Sequence, residues 1–317
     1  MPKPNRRGTI KTDAALSNLS IKYSNGSLIA DEVCKRVGVN SETGIYYIFG
    51  RNDFRVRQTL RADHADPNYV NAYSTTTGTY ACEEHSLSDY LSDRERGNAD
   101  PAIDPAFAIV NGLTDMLMVA REKRVADLYT ATASWGSNYA TLSGTEQWNN
   151  ASFDSDSKTD AIEVRIDTAK EAIRAATGRD PNTIIIPSAV SRVVKKDPEI
   201  RQLIKYTQND LLVNGDLPPT MFNMKVYIPG GISDSAEEGQ TFSGADLWGK
   251  HVVLLYLDPN PMALRTFTAG LTMEAQARQV IPSRDDKRKS DEFEVCEILD
   301  EKVVAPGAGY VIRNVIA

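Results

Sequence analysis

The sequence predicts an α+β fold, and three observations predict it. An apolar stripe runs at helical spacing from about residue 104 to 128, strands and helices alternate between 156 and 264, and the remaining chain is rich in strands. The stripe is the most informative. Asp104-Pro105 supplies an N-cap with a first-turn proline, and Asp100-Pro101 is an earlier candidate start. Phe107, Val110, Leu113, Leu117 and Ala120 then recur at three- and four-residue steps, continuing through Arg124 to Leu128. Arg121, Lys123 and Arg124 lie near the C-terminal end, where cations suit the helix dipole. At about 1.5 Å per residue the helix reaches roughly 40 Å, the length of a spine that spans a body.

Residues 1–44 read as an arm with little core of its own, marked by an Asn25-Gly26 turn and an apolar patch at Leu28, Ile29, Val33 and Val37. Phe54 and Val56 then alternate with Arg55 and Arg57 at strand period, and the Tyr- and Thr-rich run YVNAYSTTTGTYACEE suits a second strand. The two form a long ribbon, which is marginal in water until a neighbour holds it. This is the best physical hint of an obligate oligomer. His85 to Pro105 is a polar lead-in to the spine helix, and 134–157 is a Ser-, Asn- and Gly-rich connector.

A second helix follows, in which Ile162, Ile166, Ala169, Ile173 and Ala176 keep four-three-four-three spacing and Gly178 occupies the C-terminal cap position. PNTIIIP gives a buried strand and SAVSRVVKKD a helix, and Asp197-Pro198 starts another helix through Tyr206. Lys225–Ile228 and His251–Leu257 are further strands. Beyond them Leu271–Ile281 and Phe293–Ile298 form a hairpin around the charged loop SRDDKRKSDE, followed by Val303-Val304 and Tyr310–Val315.

With 317 residues, 41% of them hydrophobic, the chain can bury a sizeable core without disulfides. Three distant cysteines contain no Cys-x-x-Cys pair, which removes the usual zinc and redox spacings and suits a reducing cytosol. The start, MPKPNRRGTI, is basic without a following apolar run, so it is not a secretory signal, and Val252–Leu257 is too short to span a membrane. A formal charge of −7 argues against a dedicated nucleic-acid binder, though not against a container whose lining does not stick to DNA.

Nothing in the chain signals catalysis. There is no nucleophile elbow and no phosphate loop, and Gly307-Ala308-Gly309 lacks the third glycine and the βαβ unit of a dinucleotide site. His64, His85 and His251 have no metal-ligand spacing and read as loop or strand-end residues, so no catalytic residue, cofactor or metal is expected. Adjacent acids such as Glu83-Glu84 read as a solvated face. Arg51, Arg55, Arg57 and Arg61, with Phe54 between them, form the strongest basic cluster. Arginine with aromatics can grip a nucleic-acid backbone. On a ribbon, amid many acids, the same residues better suit contact with a neighbouring subunit, because the guanidinium fork binds carboxylates in bidentate fashion.

Several segments resemble the major capsid proteins of tailed bacteriophages, whose Hong Kong phage-type fold is shared with encapsulins. TDAALSNLSIKYSNGSLIADEVCKRVGV is similar to that family's arm, YYIFGRNDFRV to the entry of its extended loop, and RERGNADPAIDP with REKRVADLY to its spine. TGRDPNTIIIPSAV and DLWGKHVVLLYLDPNP are similar to its axial domain. The resemblance covers nearly the whole chain through an ordered series of weak motifs. It implies an arm at 1–44, an extended loop at 45–97, and a peripheral domain at 98–155 with the spine helix. An axial domain follows at 156–264, and 265–317 completes the peripheral domain with the hairpin and C-terminal strands. It further implies hexamers and pentamers of an icosahedral head around double-stranded DNA, built in the host bacterial cytoplasm. The expected partners are the chain itself, a portal, a decoration protein, packaged DNA held without sequence preference, and no membrane. Met1 directly before the arm favours a separate scaffold protein. An encapsulin-type compartment shell is the alternative, and a soluble α/β enzyme the distant one.

Overall fold

The computed structural model describes residues 28–49, 56, 59–64, 66–69, 75–98, 104–157, 159–205, 217–234, 240–241, 243–261 and 267–317. Helix α1 (Ala30–Val33) and strand β1 (Arg36–Gly38) come first, then the ribbon strands β2 (Thr43–Phe49) and β3 (Thr75–Ala81). Strand β4 (Glu83–Ser92) and helix α2 (Asp93–Asn98) precede the spine helix α3 (Pro105–Thr130). No helix among the described residues is long and apolar enough to cross a membrane.

The spine begins where the sequence places it. Asp104 Oδ1 accepts from the backbone N–H groups of Ala106 and Phe107 at 3.0 and 3.5 Å, and Pro105 opens the first turn. The N-terminal half buries Val110, Leu113 and Leu117 against Leu91, Val280, Phe293 and Val295 of one sheet. The C-terminal half buries Val125, Ala126 and Tyr129 in a second core with Trp135, Trp248, Val253 and Leu255. One helix therefore ties two bodies together.

The expected stripe holds only through Leu117. The face then continues at four-residue steps through Arg121, Val125 and Tyr129, leaving Ala120 exposed and Arg124 and Leu128 half-buried. Phe107 is also exposed, at 45%.

The first body is a four-stranded sheet in the order β1, β12 (Gly270–Asp285), β13 (Ser290–Val303), β4. Its central hairpin is longer than the apolar pattern suggests, because Ser283–Asp285 pair with Ser290–Glu292 and only the tip of the charged segment turns. The polar lead-in is partly strand as well. Glu83–Ser92 pair with β13 over ten residues as the outer strand, held by backbone hydrogen bonds although only Leu91 is buried.

The second body carries β5 (Tyr139–Thr141), helix α4 (Ile162–Thr177), β6 (Thr183–Ile185) and helices α5 (Ser188–Val194) and α6 (Pro198–Lys205). It continues through β7 (Thr220–Met221), β8 (Met224–Tyr227), β9 (Ile232–Asp234), β10 (Gly244–Asp246), β11 (Val252–Leu255) and β14 (Gly309–Arg313). Six of these strands form one sheet in the order β5, β14, β11, β6, β8, β7, and β9 pairs separately with β10. Both faces are covered, which is why its central strands read as continuous apolar runs. Ile184, Val252, Leu254 and Ile312 face a core with Ile162, Ile166 and Ile173 of α4, whereas Ile185, Val253, Leu255 and Val311 face the spine helix and Trp248. Gly178 ends α4 at φ 70°, ψ 10°, a left-handed cap that suits glycine.

The C-terminal strand departs from expectation. Gly309–Arg313 pairs with β11 and with β5 of the connector, so it belongs to the six-stranded sheet and not with the hairpin. Its partner was set by a long-range pairing that local pattern does not encode.

Candidate assembly interface

The ribbon β2–β3 pairs in antiparallel register from Thr43↔Ala81 to Phe49↔Thr75 and, among the described residues, has no backbone ladder to a third strand, although the Ala81 N–H donates to Asp300 Oδ2 of β13 at 2.9 Å. One face docks. Tyr46 and Tyr80 are buried with Val37, Leu271, Met273 and Val304, and the half-buried Ile48 packs beside them. Each tyrosine lies across a glycine of the opposite strand, Tyr46 over Gly78 and Tyr80 over Gly44. A Cβ on Gly78 would come within 2.3 Å of the Tyr46 ring, and one on Gly44 within 2.5 Å of the Tyr80 hydroxyl. The glycines are thus shaped recesses for the rings, an arrangement that pins register. Gly78→Ala should expel Tyr46 from its seat. The expected outcome is faster hydrogen exchange at 43–49 and 75–81 with the spine unaffected; unchanged protection there would contradict it.

The other face is open. Ile45 is 50% and Tyr47 37% exposed. Of the candidate contact residues, Arg51, Phe54, Arg55 and Arg57 lie outside the described residues. Arg61 is exposed, with Leu60 beside it 81% exposed.

Sequence reasoning missed a buried joint beneath the ribbon's base. Arg121 and Glu122, read as part of a charged helix end, are 1% and 0% exposed. Glu122 Oε2 accepts from the backbone N–H groups of Ile29 and Ala30 at 2.9 and 2.6 Å, and Oε1 accepts from Trp248 Nε1 at 2.5 Å. Its carboxylate therefore caps α1 and clamps the arm, the spine and the turn that leads into β11 at one point. Burial raises the Glu122 pKa, and these three donors work against that rise. Arg121 reaches Asp31, the Cys34 carbonyl at 3.2 Å and Thr272 Oγ1 at 3.1 Å. Burial would raise the Asp31 pKa, but Arg121 and Arg36 outweigh it and hold it at about 2.

Around the joint, Arg36 binds Glu274 at 2.7 Å and the fully buried Glu297 at 3.1 Å, and Glu297 also takes Arg278 at 3.4 Å. Arg124 pairs with Glu301 at 3.1 Å. These charges stitch 28–38 and the spine to the central hairpin. The only sequence signal was spacing, since Arg121 falls four residues beyond Leu117 and four before Val125.

The histidines show no constellation among the described residues. His85 lies on β4 and His64 in an exposed turn, while His251 Nδ1 accepts from the Asn314 N–H at 3.1 Å. One grouping, Glu84, Glu294 and Cys296, has ligand atoms within 4.8 Å of one another. It has no histidine and one exposed member, which is ordinary for an acidic sheet surface.

No protein-family model matches the chain. Over 312 residues it is 30% identical to the major capsid protein of Burkholderia phage BcepMu, covering 96% of each chain. The chain belongs to the family of phage major capsid proteins. Among solved structures, a phage-related protein from Bordetella bronchiseptica matches with a TM-score of 0.72 at 21% identity, covering 97% of this chain and 98% of the other. The capsid of cyanophage P-SCSP1u matches with a TM-score of 0.64 at 10% identity, covering 99% and 95%. The fold is therefore the Hong Kong phage-type capsid fold expected from the sequence, and the protein's role is structural. The sequence relationship leads to a phage capsid protein, so the compartment-shell alternative is not favoured.

Proposed function

We propose that this major capsid protein assembles with copies of itself into the hexamers and pentamers of an icosahedral phage head. That head encloses double-stranded DNA and is built in the cytoplasm of a bacterial host. The observation that carries this reading is the ribbon, whose docked face is anchored at Tyr46 and Tyr80 while Ile45 and Tyr47 stay open to solvent. A two-stranded ribbon with one uncovered apolar face is stable when a neighbour covers it. The spine adds a second uncovered surface. Its outward side exposes Met116 to 63% and Phe107 to 45%, and Asp115 is the sole charged residue from Pro105 to Ala120. A helix apolar on all sides normally has cover on all sides.

In this reading the first body, with the spine and hairpin, is the peripheral domain. The six-stranded body is the axial domain that closes capsomers. Arg51, Phe54, Arg55, Arg57 and Arg61 contact an adjacent subunit. A scaffold, a portal, decoration proteins and packaged DNA are the further partners, and the chain needs no catalytic residue, cofactor or metal. Size-exclusion chromatography tests the reading: capsomers or particles are expected, and a folded monomer at high concentration would oppose it.

Whether the subunits of a particle become covalently joined can also be tested. No lysine occurs between Lys35 and Lys123, so the whole extended loop carries only arginine as a fixed cation. Arginine stays protonated and cannot supply the neutral amine that forms an isopeptide bond. All three cysteines are free thiols, Cys34 and Cys296 being buried. Particles boiled in detergent with reductant are therefore expected to run as single 34.9 kDa chains. A ladder of covalent oligomers would contradict this.

A further inference from the structure

The six-stranded body carries a cleft that neither the ribbon nor the spine uses. Two adjoining cavities of about 410 and 220 Å³ lie between the connector around 148–164 and helices α5 and α6, and they share Ser155 and Asp197. The floor is apolar, from Trp148, Phe153 and Val193. The rim is acidic. Asp156, Glu163, Asp197 and Glu199 line it against a single cation, Lys196, which is four negative charges against one positive. Asp197 is used, because its Oδ1 accepts from the N–H groups of Glu199 and Ile200 at 3.1 and 3.2 Å and so caps α6. Asp156, Glu163 and Glu199 have no ion-pair partner among the described residues.

A second observation points to an occupant. Trp148 is 5% exposed, and its indole N–H has no hydrogen-bond partner among the described residues. A buried donor of this kind normally has an acceptor. The cleft thus offers carboxylates to a cation, an apolar floor to a short side chain, and one N–H to a carbonyl. An extended basic peptide has all three.

This chain contains one. Residues 1–12, MPKPNRRGTIKT, hold Lys3, Arg6, Arg7 and Lys11 with no acid, in a protein whose net charge is −7. They lie outside the described residues, upstream of Ile29 and Ala30, which Glu122 fixes against the spine. The 27 residues before Leu28 can reach at most about 90 Å when extended, enough to meet a cleft on their own or an adjacent copy. We propose that the acidic cleft of the six-stranded body is the docking site of the basic N-terminal segment. Lys3, Arg6, Arg7 and Lys11 meet Asp156, Glu163 and Glu199, and a backbone carbonyl of the segment accepts from Trp148. Docking would fasten the far end of the arm as the Glu122 joint fastens its near end.

Zero-length carbodiimide coupling of the full-length protein, in whatever assembly state it is purified, tests this without relying on a closed shell. Peptide mass spectrometry should find Lys3 or Lys11 joined to Asp156, Glu163 or Glu199, at a yield several-fold lower in high salt, as exposed ion pairs require. Arg6→Glu with Arg7→Glu should lower the yield at Glu199 several-fold, and adding Asp156→Arg with Glu163→Arg should restore it. Coupling of these lysines only to carboxylates elsewhere, or to another protein, would overturn the proposal. So would a yield indifferent to both charge changes.

Discussion

Glu122→Ala is expected to lower the melting temperature by roughly 6–12 °C. The substitution leaves the Ile29 and Ala30 N–H groups and the Trp248 indole N–H buried without an acceptor. Each such donor costs about 1–3 kcal/mol, so a loss of at least about 3 kcal/mol follows, and about 2–4 °C accompanies each kcal/mol in a domain of this size. The damage should be directional. The segment 28–38 loses its clamp while the far half of the spine keeps Val110, Leu113 and Leu117 in their own core. Limited proteolysis should therefore cut first near 28–38 in the variant. Glu122→Gln, which keeps one acceptor oxygen, should fall between the two. A shift under about 2 °C for the alanine variant would show that the joint is not a principal anchor.

Arg55→Glu with Arg57→Glu is expected to abolish or severely slow assembly while the isolated subunit stays folded. If these guanidinium groups meet carboxylates of an adjacent subunit, each reversal replaces attraction by repulsion. Breaking one buried interfacial pair costs about 2–5 kcal/mol, and symmetry repeats that loss at every equivalent contact. Circular dichroism and melting should match the parent, since the ribbon's own anchor uses Tyr46 and Tyr80 and no arginine. Normal assembly with loss of DNA retention alone would assign the cluster to the packaged genome.

Acid should loosen the arm from the same joint. Asp31 has its pKa held at about 2, so its contribution is present above roughly pH 4, the ordinary aspartate range, and is lost as pH falls through the folded-state value. Asp31→Asn should remove that part of the acid transition, read by proteolysis of 28–38 between roughly pH 4 and 2.

The parts legible in the sequence were those governed by local rules. Asp104-Pro105 capped the spine, Gly178 ended α4, and Ile162, Ile166, Ala169 and Ile173 reached the core because helical period alone decides such faces. Glu83–Ser92 escaped notice because an outer strand needs only backbone partners, and seven of its ten residues are exposed with Leu91 alone buried. The joint escaped notice for a different reason. Arginine and glutamate are almost never fully buried unless paired, and the partners of Arg121 and Glu122 lie about 90 residues away at Asp31, Ile29 and Ala30. Chain topology, including the placement of Gly309–Arg313 beside Val252–Leu255, is likewise a long-range choice. The open face of Ile45 and Tyr47 could be seen only once the docked face of Tyr46 and Tyr80 was known.

Electron microscopy of the purified, assembled protein tests the central claim most directly. The account predicts closed shells in which each ribbon keeps Tyr46 and Tyr80 docked on its own subunit and lays the opposite face, with Ile45 and Tyr47, on an adjacent copy. Shells in which Ile45 and Tyr47 stay open to solvent, or a preparation that stays monomeric at high concentration with its scaffold present, would contradict it.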